Sequence, residues 1–141
     1  MARDQNPGQC ENCGAHFTWY LIHNGFNDSC HAYCSDCGIT AILSLYSSQL
    51  RSSRLAGRGE IAPELESLLK PCTCGGQFVA GSKPRCPQCK TELSAEGAAT
   101  YIEAASPGAT TGWRWQRTWN GIWALYCIVI NNCVVYDVFS K

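Results

Sequence analysis

Eight of the eleven cysteines stand in four short pairs: Cys10/Cys13, Cys34/Cys37, Cys72/Cys74 and Cys86/Cys89. Thiolates at such spacing either bind a soft metal ion or exchange electrons as dithiol and disulfide. The N-terminal stretch Met1-Ala-Arg-Asp-Gln-Asn-Pro-Gly lacks the apolar core of a secretory signal, so the expected compartment is the cytoplasm. Thiols are kept reduced there, and an odd number of cysteines could not pair completely in any case. Metal ligation is the expected chemistry.

Taken in chain order, Cys10, Cys13, Cys34 and Cys37 form one set, C-x2-C, twenty residues, C-x2-C. Cys72, Cys74, Cys86 and Cys89 form a second, with a shorter C-x-C arm. Each set supplies the four soft donors of a tetrahedral zinc, giving two Zn(2+) per chain, and four thiolates also suit iron. Gly14, Gly38, Gly75 and Gly76 follow the pairs, where a permissive backbone turns amides toward sulfur. Cys30, His31 and His16 lie close enough in sequence to be alternative ligands of the first set.

Catalysis is not expected from this pattern. A catalytic zinc keeps one position open for water, and four cysteines leave none. No His-x-Glu precedes a Pro-Cys-x-x-Cys, as a zinc deaminase requires. Cys86-Pro-Gln-Cys89 has the form of a redox motif, but it sits at metal spacing behind another cysteine pair.

On Cys10-Glu-Asn-Cys13-Gly14, Tyr33-Cys34-Ser-Asp-Cys37-Gly38, Cys72-Thr-Cys74-Gly75-Gly76 and Pro84-Arg-Cys86-Pro-Gln-Cys89, the chain resembles the zinc-ribbon families. The resemblance covers roughly residues 8–45 and 70–93. It implies structural metal in two short ribbons and is silent on function, since zinc ribbons serve in many processes. The chain departs from the pattern in the short Cys72 arm and in Lys90, which stands where a glycine usually follows.

The remaining elements must position and cover these sites. The expected organisation is a first zinc ribbon over 1–45, a linker with a short helix from Pro63 over 46–70, a second ribbon over 71–93, and a helix with a three-stranded meander over 94–141. Ser94 caps the helix, whose Ala98, Tyr101, Ile102 and Ala105 share one face, and Ser106-Pro107-Gly108 ends it. Trp113–Thr118, Ile122–Ile130 and Cys133–Phe139 read as antiparallel strands joined by tight turns at Asn120-Gly121 and Asn131-Asn132. Trp115 then opposes Tyr126, Trp113 opposes Ile128 and Ile130 opposes Cys133, with Cys127 and Cys133 as packing residues. The fold class expected is a small metal-stabilised α+β protein.

Both faces of that meander are apolar, which is unusual for a small antiparallel sheet and suggests an interface. Trp113, Trp115, Trp119, Trp123 and Tyr126, with Arg114 and Arg117, are the candidate contact residues for a protein partner or a second copy of the chain. Eleven basic residues against eleven acidic ones give a formal net charge of zero. Two ions, each held by four thiolates, would bring that to −4, because each centre carries a formal charge of −2. Residues 1–45 hold one arginine against four acids. Nucleic acid is therefore the second partner class, limited to a local patch at Lys83, Arg85 and Lys90. The third reading is a redox- or metal-responsive zinc-thiolate protein in which Cys30 competes for the first zinc. No apolar run has the length of a membrane-spanning helix.

Overall fold

The structure, a computed structural model, describes residues 5–23, 29–44, 63–108 and 126–136. Two small sheets carry the molecule. Strand β1 (Asn6–Gln9) pairs antiparallel with β2 (His16–His23), which pairs in turn with β6 (Tyr126–Ile130). The second sheet runs β5 (Phe78–Val79), β3 (Ser29–Cys34), β4 (Thr40–Ser44), β7 (Val134–Val135). It is mixed, because β7 lies parallel to β4 while the other pairings are antiparallel. The α+β class holds, with one α-helix, α1 (Ala95–Ala105), and a 3₁₀ helix over Pro63–Leu68 among the described residues.

Both sheets cross the boundaries drawn from the sequence. The first joins β1 and β2, from the expected first ribbon, to β6, from the expected meander. The second draws one strand each from the expected second ribbon and the meander onto the β3–β4 hairpin.

The meander itself is corrected at its second turn. Asn131 and Asn132 do take positive φ, 54° and 56°, and Cys133 N–H donates to the Ile130 carbonyl at 3.0 Å, as a tight turn requires. The two flanking strands then part into different sheets. Strand β2 already occupies β6 from Trp19↔Ile130 to His23↔Tyr126. Asn131 extends that ladder, donating to Thr18 O at 2.7 Å and accepting from Thr18 N through Oδ1 at 2.9 Å. The chain beyond the turn pairs with β4, Thr40 opposite Val134. Cys127 is fully buried as expected, whereas Cys133 is exposed rather than packed. The first meander strand, the Asn120-Gly121 turn and Trp113, Arg114, Trp115, Arg117, Trp119 and Trp123 lie outside the described residues.

Helix α1 covers one face of the first sheet. Ser94 Oγ accepts from Gly97 N at 2.9 Å, satisfying one of the amides a helix start leaves open. Ala98, Ala99 and Ile102 are buried, and the Tyr101 ring stacks on Trp19 with centroids 4.6 Å apart. Cys127, Ile128 and Val129 have no exposed surface, so both faces of β6 are covered within the chain. The apolar surplus at β6 is core, and only Tyr126 stays half-buried.

The second sheet joins that core through the face bearing Tyr33 and Ile42. Tyr33 reaches across, its hydroxyl donating to Ile128 O and accepting from Ile128 N, both at 3.0 Å. One phenol thus satisfies two main-chain groups of a fully buried residue. Tyr33→Phe removes both partners at once and should cost about 1–3 kcal/mol, measured as a lower urea midpoint with an unchanged m-value. The opposite face, with Ala32, Cys34, Ala41 and Leu43, forms a second apolar cluster with Leu69, Cys72 and Phe78.

Candidate metal centres

Each cysteine pair sits where the chain reverses. Cys10 and Cys13 lie in the loop of the β1–β2 hairpin, whose last pair is Gln9↔His16. Cys34 and Cys37 lie in the β3–β4 loop beyond Tyr33↔Thr40. Cys86 and Cys89 lie inside the isolated bridge Arg85↔Glu92, and Cys72 and Cys74 lie in the turn before β5.

These reversals share one local geometry. The main-chain N–H four residues after the first cysteine donates back to its carbonyl: Gly14 to Cys10 at 3.1 Å, Gly38 to Cys34 at 3.1 Å and Lys90 to Cys86 at 3.0 Å. In the shorter arm, Gly75 donates to Cys72 at 2.9 Å. All four donors have positive φ, from 64° at Lys90 to 98° at Gly75. Lys90 therefore takes the left-handed conformation for which glycine is the usual residue.

Amides reach the sulfurs as expected, although mostly not from the glycines. Asn12 N and Cys13 N donate to Cys10 Sγ at 3.3 and 3.4 Å, and Asp36 N donates to Cys34 Sγ at 3.4 Å. Gln88 N and Cys89 N donate to Cys86 Sγ at 3.3 and 3.5 Å. Gly76 N donates to Cys74 Sγ at 3.4 Å and is the one glycine among these donors.

The eight sulfurs gather into two groups of four, but in a different partition from the chain-order one. Cys10 and Cys13 meet Cys86 and Cys89, while Cys34 and Cys37 meet Cys72 and Cys74. The second group is nested inside the first along the chain. The cause is strand pairing. β3 takes β5 as its neighbour, placing Cys34 opposite Phe78, so the turn just before β5 returns to Cys34. The β1–β2 loop belongs to the other sheet and meets the Arg85–Glu92 reversal instead.

Both groups fit a tetrahedral ion. Closest sulfur separations are 3.6 Å for Cys10–Cys89, 3.7 Å for Cys13–Cys86, 3.5 Å for Cys34–Cys74 and 3.6 Å for Cys37–Cys72. All sulfurs of a group lie within 4.8 Å of one another. Four metal–sulfur bonds of about 2.3 Å at tetrahedral angles require sulfurs about 3.8 Å apart. A disulfide would need about 2.05 Å. Either group is able to hold a metal ion.

The centres differ in their surroundings. In the inner one, Cys34 and Cys72 are buried and belong to the second apolar cluster. Burial pushes the Cys37 thiol up to about 12 and raises Cys72, whereas the Gly76 N–H pulls Cys74 down to about 7. An incoming metal must displace the protons held on Cys37 and Cys72. Inner-centre affinity therefore rises with pH, and metal uptake releases acid.

In the outer centre, Cys13 is exposed and Cys89 half-exposed. The Thr91 hydroxyl bonds Cys89 Sγ at 3.2 Å, and Asn12 Nδ2 donates to Cys89 Sγ at 3.7 Å and to Thr91 Oγ1 at 3.1 Å. Those contacts, the Thr91 hydroxyl foremost, draw the Cys89 thiol down to about 5. Thr91→Val keeps the shape and deletes the hydroxyl. It should lower outer-centre metal affinity by roughly 10–100-fold, read by competition with a chromogenic chelator.

The two histidines stand apart from the sulfur groups. His16 is exposed at the start of β2, and His31 is buried on β3 with its ring edge-on to Tyr33, centroids 5.4 Å apart. Neither belongs to a sulfur group. Cys30 lies in β3 opposite Leu43, and its side chain lies outside the described residues.

A family model described as a domain of unknown function, DUF8255, matches residues 6–95. The chain belongs to that family. The matched DUF8255 segment runs from the first residue of β1 to the first residue of α1 and contains all eight sulfur donors. No curated protein and no solved structure matches the chain. Among the described residues, no helix is long and apolar enough to cross a membrane.

Proposed function

We propose that this DUF8255 chain is a zinc-binding, non-catalytic interaction protein whose two zinc ions are structural. The observation that carries this is the pair of complete four-sulfur shells, each at tetrahedral spacing and each supported by main-chain amides. Four protein donors fill a tetrahedral zinc, so substrate and water find no open position. The ions supply crosslinks, and the protein supplies hairpin loops and a hydrogen-bonded surround. Such crosslinks stand in for apolar burial where sheets are short, as with the two-residue strands β5 and β7.

The partner proposed is another protein or a second copy of the chain, bound through the tryptophan-rich segment around Trp113, Trp115, Trp119 and Trp123. Aromatic residues with flanking arginines are the side chains that dominate interface energetics. Native mass spectrometry of the purified protein under reducing conditions tests both halves. Two zincs per chain are expected, four-sulfur iron would correct the metal, and a metal-free chain would overturn the structural role. Trp115→Ala and Trp123→Ala should abolish association while both zincs stay bound. Association that instead falls steeply with salt and with neutralisation of Arg114 and Arg117 would move the function to nucleic acid.

A further inference from the structure

The nesting of the two sulfur groups carries a consequence for how they fill. We propose that the inner and outer centres gain and lose metal as a coupled pair, so that a chain with one metal is the minority species. This rests on the structural-metal reading above and concerns the relation between the sites.

Closing the outer centre joins Cys13 to Cys86 across 73 residues, and closing the inner joins Cys37 to Cys72 across 35. The inner loop lies wholly within the outer one. A filled inner centre therefore removes about half the slack that the outer must close, which favours outer closure by about threefold from chain entropy alone.

Contact adds to this. The Gly38 backbone of the inner loop lies directly against Arg85, the residue before Cys86. A Cβ on Gly38 would fall 2.7 Å from Arg85 Cβ and 3.1 Å from Arg85 Cα. The inner centre also fixes β5 against β3, with Cys34 opposite Phe78, and the chain needs only seven residues from Val79 to reach Cys86. An occupied inner centre thus holds Cys86 near the place where Cys10 and Cys13 require it. Linkage makes the effect reciprocal, so an occupied outer centre tightens the inner by the same factor.

The test withdraws zinc stepwise from the metal-loaded full chain with a chelator, under reducing conditions, and counts two-, one- and zero-metal chains by native mass spectrometry. Coupled sites keep the one-metal form below half of the chains at the midpoint. Independent sites of equal affinity give one half and unequal ones more, and either result overturns the proposal. As a second measurement, Cys13→Ser alters the exposed outer loop while sparing all four inner ligands. Inner-centre affinity in that variant should fall at least threefold, and an unchanged affinity would overturn the coupling. A protein isolated without metal would count against the structural-metal role itself, which separates that failure from this one.

Discussion

Complete removal of metal under reducing conditions should abolish the cooperative fold. A structural zinc contributes an apparent free energy of about 10–16 kcal/mol in small metal-bound domains, whereas a whole domain is stable by only about 5–15 kcal/mol. Here two centres hold hairpin loops whose sheets are short, with β1 four residues long and β5 and β7 two each. One apolar cluster contains ligands Cys34 and Cys72 within it, so losing the inner ion also leaves two thiols buried there without the ion that draws the four sulfurs together. The expected result is loss of near-ultraviolet dichroism and of any sharp thermal transition, with recovery on adding zinc back. A cooperative melt that survives complete chelation would show that burial alone holds the chain together, and the structural role of the metals would fall.

The second large effect is expected at Gly38, through the backbone and not through a ligand. Its φ is +76°, where an L side chain costs about 1–2 kcal/mol, and a Cβ there would strike the Arg85 main chain. Overpacking of that kind adds about 1–3 kcal/mol. Gly75 separates the two causes, since its φ is +98° but a Cβ would meet nothing within 4 Å. Gly38→Ala should therefore lower the melting temperature by roughly 10 °C, and Gly75→Ala by only a few degrees. Equal losses at the two positions would mean that the Gly38–Arg85 contact contributes nothing beyond local strain.

Local chemistry was legible in the sequence, and long-range pairing was not. Ser94 announced its helix because a hydroxyl at that place has one obvious amide to satisfy, and Asn131-Asn132 announced a turn because asparagine tolerates positive φ. The cysteine spacings and the glycines behind them marked the four ligand pairs for the same local reason. Which reversal meets which depended on β3 choosing β5 and on β6 choosing β2. Phe17 to Ile22 is as apolar and β-branched or aromatic as the strand expected to flank β6, so alternation along β6 does not distinguish the two partners. Lys90 shows the converse, a left-handed position with no glycine to mark it.

The late strands β6 and β7 also bear on synthesis of the chain. A nascent polypeptide that has emerged as far as Gly108 possesses every sulfur donor of both centres, yet β2 still lacks its neighbour β6 and β4 its neighbour β7. Metal is thus available to be captured on the ribosome before either sheet is complete. During that interval the bare sides of β2 and β4 are open templates for strands of neighbouring chains. The stretch from Tyr126 to Val135 closes both at once, so a segment translated after all eight sulfur donors is the protein's own guard against aggregation.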